Sequence, residues 1–151
     1  MALPYENSTS GKNAISEIQK ILLGFGASSF GYMEDFATGD LIVQFAYRDR
    51  RVSVRANAKG YAAAWLKEHP HTHRTRGSRQ QHEEKALRIG KIAVYSILRD
   101  WIKGQITAVE VGMMSFEGAF LGQLLLPDGQ TVLEKATTSG LLQITDERGE
   151  G

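Results

Sequence analysis

The 151-residue chain contains no cysteine. That removes disulfides, thiolate metal sites and a cysteine nucleophile from its chemistry. It also fits a reducing compartment. No apolar run approaches the roughly 18 residues of a membrane span. The N-terminal residues lack a basic segment followed by an apolar one, so no secretion signal is visible. These absences predict a soluble cytoplasmic protein with no membrane partner.

Catalytic signatures are missing too. No glycine-rich phosphate loop is present, because Gly24-Phe25-Gly26 precedes a strand and not a helix. No Ser/His/Asp order marks a nucleophile. Glu34, Asp35 and Asp40 flank a strand, but the next strand offers Gln44-Phe45-Ala46 where a metal-dependent nuclease needs an acid-x-Lys. Acids at turns and strand ends are the plainer reading. His69, His71 and His73, with His82 nearby, alternate as metal ligands could. Pro70 interrupts the run, however, and arginines crowd it with positive charge. The expectation is a non-enzymatic protein without cofactor or metal.

Net charge is almost absent, at +1, but its sign is segregated. Between Tyr47 and Lys91, twelve Lys/Arg stand against four acids, while both flanks are net acidic. A basic middle in a neutral chain points to a polyanion site. Most of these cations are arginines, whose planar fork suits phosphate.

With 42% hydrophobic residues, the chain can build a core. Residues 1–9 are polar and expected to be flexible; 10–148 are expected to form one domain. Ile15, Ile18, Leu22 and Phe25 follow helical spacing, and Gly24 and Gly26 can end that helix. Residues 28–35 predict a first strand. Leu41, Val43, Phe45 and Tyr47 alternate in a second, and Val52, Val54 and Ala56 in a third, after a tight turn at Asp49-Arg50. Period-2 geometry sends the valines to the core and Arg51, Ser53 and Arg55 to the opposite face.

Residues 59–67 predict a short helix, and 68–79 a mobile basic loop with no apolar periodicity. Ser78 to Gln81 matches a capping box, which opens a helix to about residue 112, or ~50 Å. Gly90 and Gly104 mark a break in it or a close contact. A helix this long outruns the sheet and offers a surface for self-association. Residues 115–122 predict a further short helix. Pro127-Asp128-Gly129 then turns the chain into a strand or extended arm over 130–134, closing a short C-terminal hairpin. The tail after Gly149 is expected to fray. The fold class expected is α+β: N-terminal helix, three-stranded antiparallel meander, long central helix, short C-terminal helix and hairpin.

The basic residues fall on three of these elements. Arg48, Arg50, Arg51 and Arg55 lie on the hairpin; Arg74, Arg76 and Arg79 on the loop; Lys85 and Arg88 on the first turns of the long helix. Tyr47, Trp65 and Tyr61 are near enough in sequence to offer stacking surfaces. Cations at a helix N-terminus reinforce its dipole, which is unfavourable unless an anion sits there. The sharpest expectation is therefore an anion site between Arg74 and Arg88.

Two resemblances add provenance. The segments Asp100–Glu110, Ser115–Leu121 and Leu126–Val132 resemble a family of small proteins of tailed bacteriophages and prophages. That implies a phage protein acting in a bacterial cytoplasm. The order of elements, from a helix ending in Gly-Phe-Gly through a meander and a basic segment to a Glu-Lys-Ala-rich helix at 84–88, is similar to single-strand annealing recombinases. That resemblance implies single-stranded DNA against Arg51, Arg55, Arg74, Arg76 and Arg79, often on ring-shaped oligomers. The expected function is single-stranded DNA binding in recombination or replication. The alternative is a phage accessory protein that binds and inhibits a host defence or transcription complex.

Overall fold

The computed structural model describes residues 2–143. The first helix, α1 (Gly11–Phe25), starts where the Ser10 hydroxyl accepts the Asn13 N–H at 3.2 Å. It buries Ala14, Ile15, Ile18 and Leu22 along one face. It stops at Gly26, whose φ of 106° lets its N–H turn back onto the carbonyls of Leu22 and Leu23.

Three strands follow: β1 (Ser29–Asp35), β2 (Asp40–Tyr47) and β3 (Arg50–Asn57), antiparallel in the order β1-β2-β3. Phe45 lies opposite Val52 and Val43 opposite Val54, so the inner face is continuous and apolar. Arg51, Ser53 and Arg55 lie opposite Ala46, Gln44 and Ile42 on the outer face, as the alternation predicts. The β2–β3 turn falls on Arg48 and Asp49, one residue earlier than expected, because Tyr47 still pairs with Arg50. Arg48 takes a φ of 53° there, which costs a residue with a Cβ about 1 kcal/mol.

Helix α2 (Lys59–Glu68) leads through a loop to α3 (Arg79–Glu110). Both halves of the Ser78/Gln81 capping box are made. Neither glycine breaks α3. A Cβ on Gly90 would sit 2.9 Å from the Ala58 carbonyl oxygen and 3.2 Å from the Ala62 nitrogen, so Gly90 permits close approach of α2. Gly104 faces open space. Helix α2 thus covers the part of α3 that the sheet does not reach, and Ala62, Trp65 and Ala86 form a small core between them. The rest of α3 packs with α1 and α4 (Phe116–Phe120) on the inner sheet face. Phe120 anchors that end, with its ring 5.4 Å from Phe45 and 5.7 Å from Trp101.

The C-terminal region differs from expectation in one element. A short hairpin does form around Pro127-Asp128-Gly129: the Leu126 N–H donates to the Gln130 carbonyl, and Leu125 bridges Thr131. It extends the sheet edge, with Leu124 bridging Val52 and the Leu125 N–H donating to the Arg51 carbonyl. The strand expected over 130–134 ends at once, however. Residues Val132–Thr138 are a helix, α5, opened by a second capping box between Thr131 and Glu134.

Near the N-terminus, the Tyr5 hydroxyl donates to Asp100 at 2.5 Å, and Tyr61 donates to the Pro4 carbonyl. The frayed tail expected after Gly149 lies outside the described residues.

A cationic cavity at the entry of the long helix

The loop between α2 and α3 folds around Trp65. The His69 ring stacks on it at 4.4 Å and 14°, and His82 lies 5.1 Å away. Three histidines reach backbone carbonyls, which can only accept, so each of these ring nitrogens carries its proton. His69 Nδ1–H donates to Trp65, His71 Nε2–H to Gly77 and His82 Nε2–H to His69, the last at 2.6 Å. The first of these bonds ties His69 to the end of α2, the second closes the loop on itself and the third joins it to α3. Among the described residues, no three His, Asp or Glu side chains converge as a metal-ligating group.

On this scaffold sits a cavity of about 460 Å³, lined by Thr75, Arg76, Gln81, His82, Lys85 and Arg88. Gln81, Lys85 and Arg88 are spaced i, i+4, i+7, so α3 presents them on one face. Lys85 lies over the Trp65 ring at 5.8 Å, so its stem is positioned by packing. Among the described residues, no carboxylate lines the cavity, and the first turn of α3 carries no acid. Arg74, Arg76, Arg79 and Arg88 make no ion pair among the described residues. The positive end of the helix dipole adds to their field.

The other expected contacts are placed elsewhere. Arg55 Nη1 reaches Asp40 at 2.8 Å, and Asn57 donates to the same carboxylate at 2.9 Å. Hydrogen bonds from Asn57 and then Arg55 hold the Asp40 carboxyl below its ordinary range. Arg50 faces Glu117 at 3.4 Å. Arg48 lies 5.0 Å from the Tyr47 ring centroid. Arg51 lines a separate cleft of about 290 Å³ on the outer sheet face, with Gly31, Ile42 and Gln44.

Two of the three aromatic candidates need correction. Trp65 is 4% exposed, and His69 and His82 occupy its surroundings, so it is not a free base-stacking surface. Tyr47 packs against Phe25 at 4.4 Å and Phe116 at 4.9 Å. Trp65 is buried in one core cluster, and Tyr47 is partly buried against the other.

The hairpin tip and the helix entry also do not form one surface. Beside Gly90 and Lys91, α3 meets Ala58 and Glu34, at the Asn57 end of the sheet. Tyr47 and Arg50, at the other end, meet Phe116 and Glu117 beyond the α3 C-terminus. From Lys85 to Glu110 the helix rises about 38 Å, so Arg48 and Arg50 lie far from the cavity.

The three acids weighed for metal chemistry are each occupied locally. Glu34 pairs with Lys91 at 2.6 Å, Asp35 accepts the Ala37 and Thr38 N–H groups, and Asp40 holds Arg55. Thr75 and Gln81 are cavity residues that the sequence reading passed over. The helical periodicity 81–85–88 was the available signal for Gln81, whereas Thr75 depends on the loop path.

Set against family models, curated proteins and solved structures, the chain matches none of them. No helix among the described residues is long and apolar enough to cross a membrane.

Proposed function

We propose that this is a non-enzymatic phage protein that binds the sugar–phosphate backbone of single-stranded DNA, in recombination or replication. The observation that carries the reading is the cavity in which Arg76, Lys85 and Arg88 converge without a carboxylate. Arg74 and Arg79 flank it and extend the basic surface. With Trp65 and Tyr47 packed into the protein, the contact is chiefly to phosphates, and base preference is weak. Arg51 and Arg55, expected as phosphate contacts, are secondary here, because Asp40 pairs with Arg55 and Arg51 lines a separate cleft on the sheet.

Backbone binding releases counterions, so affinity falls steeply with salt. Five phosphate contacts on a single strand predict a log–log slope of roughly −3.5, or about a 100-fold loss between 50 and 200 mM salt. Titration of the protein with single- and double-stranded oligonucleotides at those two concentrations tests this. Absence of binding at the lower salt sinks the proposal.

A second reading has its own support at the far end of α3. Val111 and Met113 are 70% and 73% exposed there, an unusual use of large apolar side chains. They suit an accessory protein that docks on a host complex. Copurification of a host protein that is lost in Val111→Asp, without DNA binding, favours this reading over the first.

A further inference from the structure

The cavity differs from a groove that merely tracks a strand. Three cations surround a concave space, and one wall is His82, which is 8% exposed. Its Nε2–H is committed to the His69 carbonyl at 2.6 Å. The site therefore combines an excess of positive charge with a concave shape.

An interior phosphodiester fits such a site less fully than a strand end does. It carries one negative charge and no O–H. A terminal phosphomonoester carries about 1.5 to 2 negative charges near neutrality, has three strong acceptor oxygens, and keeps a proton part of the time. It can receive the forked donors of Arg76 and Arg88 and the ammonium of Lys85. We infer that the cavity at the α3 entry is a terminal-phosphate site that seats the phosphorylated end of a nucleic-acid strand. The inference rests on the DNA-binding reading and assigns an end-recognising role to that same site.

The test compares a short oligothymidylate in three forms: 5′-phosphorylated, 3′-phosphorylated and hydroxyl-ended. Thymidine monophosphate serves as competitor. A phosphate on one end is expected to tighten binding by about tenfold or more, the scale of an added charge-assisted contact. Lys85→Ala and Arg88→Ala should each abolish that difference while circular dichroism stays unchanged. Lys20→Ala, on the exposed face of α1, should retain it.

Equal, salt-sensitive binding of all three strands overturns the end-site inference and leaves the DNA-binding reading standing. Failure of every strand to bind overturns both. Displacement by thymidine monophosphate at the same concentration as by the phosphorylated strand also overturns the inference, because the site then takes a free nucleotide.

Discussion

The basic residues of the sheet and those of the helix entry are alike in sequence and unlike in structure. On the sheet, neighbouring chain supplies partners for Arg50 and Arg55, whereas Arg48 and Arg51 make no ion pair among the described residues. The register that sets Asp40 opposite Asn57 and Ile42 opposite Arg55 puts the Asp40 carboxylate within reach of Arg55. The same end of the domain pairs Glu34 with Lys91, and the far end pairs Glu117 with Arg50. At the helix entry no acid occupies the first turn of α3, and the loop brings further arginines without partners among the described residues. A count of charge along the chain therefore does not define a patch. Strand register and chain return decide which cations remain unpaired.

The strongest way to break this contrast is charge reversal on each side. Lys85→Glu with Arg88→Glu should weaken single-stranded DNA binding by about 100-fold at 50 mM salt, since two attractive contacts become repulsive. Arg55→Glu should change it less than about threefold, because Arg55 is already neutralised. Fluorescence anisotropy at fixed salt measures both. Similar losses at the two sites would dissolve the distinction.

The next effect concerns the seam that positions the helix entry. Gly90→Ala should destabilise the fold by about 1–2 kcal/mol, as overpacking against the Ala58 backbone outweighs the gain in helix propensity. Gly104→Ala meets nothing within 4 Å and should stabilise by about 0.5–1 kcal/mol. Urea denaturation of the two variants should give opposite signs.

A comparable loss follows from uncapping. Ser78→Ala removes the side-chain half of the α3 capping box and should cost about 1 kcal/mol. It should also lower DNA affinity, because the cavity lies on the first turns of that helix. At the hairpin tip, Arg48→Gly should stabilise by up to about 1 kcal/mol, less the contact of Arg48 with Tyr47. Its effect on DNA binding should be small, in contrast to Ser78→Ala.

The smallest effect is in acid. The Asp40 carboxyl is held below its ordinary range by Asn57 and Arg55. A depressed folded value means its contribution is complete above the unfolded value near 4 and is lost as pH falls through the folded one. The Arg55 pairing should thus persist below the ordinary carboxyl range and dissolve only as pH falls through the lower folded value. An NMR titration of the Asp40 carboxyl carbon, repeated in Asn57→Ala, follows this; an unchanged midpoint in the variant would remove Asn57 as a cause.

Much of the architecture was legible because it depends on local rules. The helical spacing of Ile15, Ile18, Leu22 and Phe25, the Gly26 stop, the alternating β2 and β3 residues and the Ser78/Gln81 box each announce an element within a few positions. Helix α5 was announced as well: Thr131-Val132-Leu133-Glu134 has the same box spacing, but the preceding turn and the β-branched residues suggested a strand. Of the site, Arg76, Lys85 and Arg88 were legible as charges, whereas the burial of Trp65 was not. That ring was assigned to DNA by its nearness in sequence to arginines, while in the fold it fills the space between α2 and α3.

By itself the sequence determined where the chain turns, where its helices begin and which strand face is apolar, since backbone preferences and side-chain periodicity act over a few residues. It also determined that the middle third is basic. Only the tertiary structure decided which of those cations are neutralised and which converge, and which aromatic rings are spent on the core. Those outcomes depend on pairings such as Arg55 with Asp40, Arg50 with Glu117 and His69 with His82, which no local rule supplies. Electrostatic and hydrogen-bond partners are chosen by distance in space, and distance in space is set by how the elements pack.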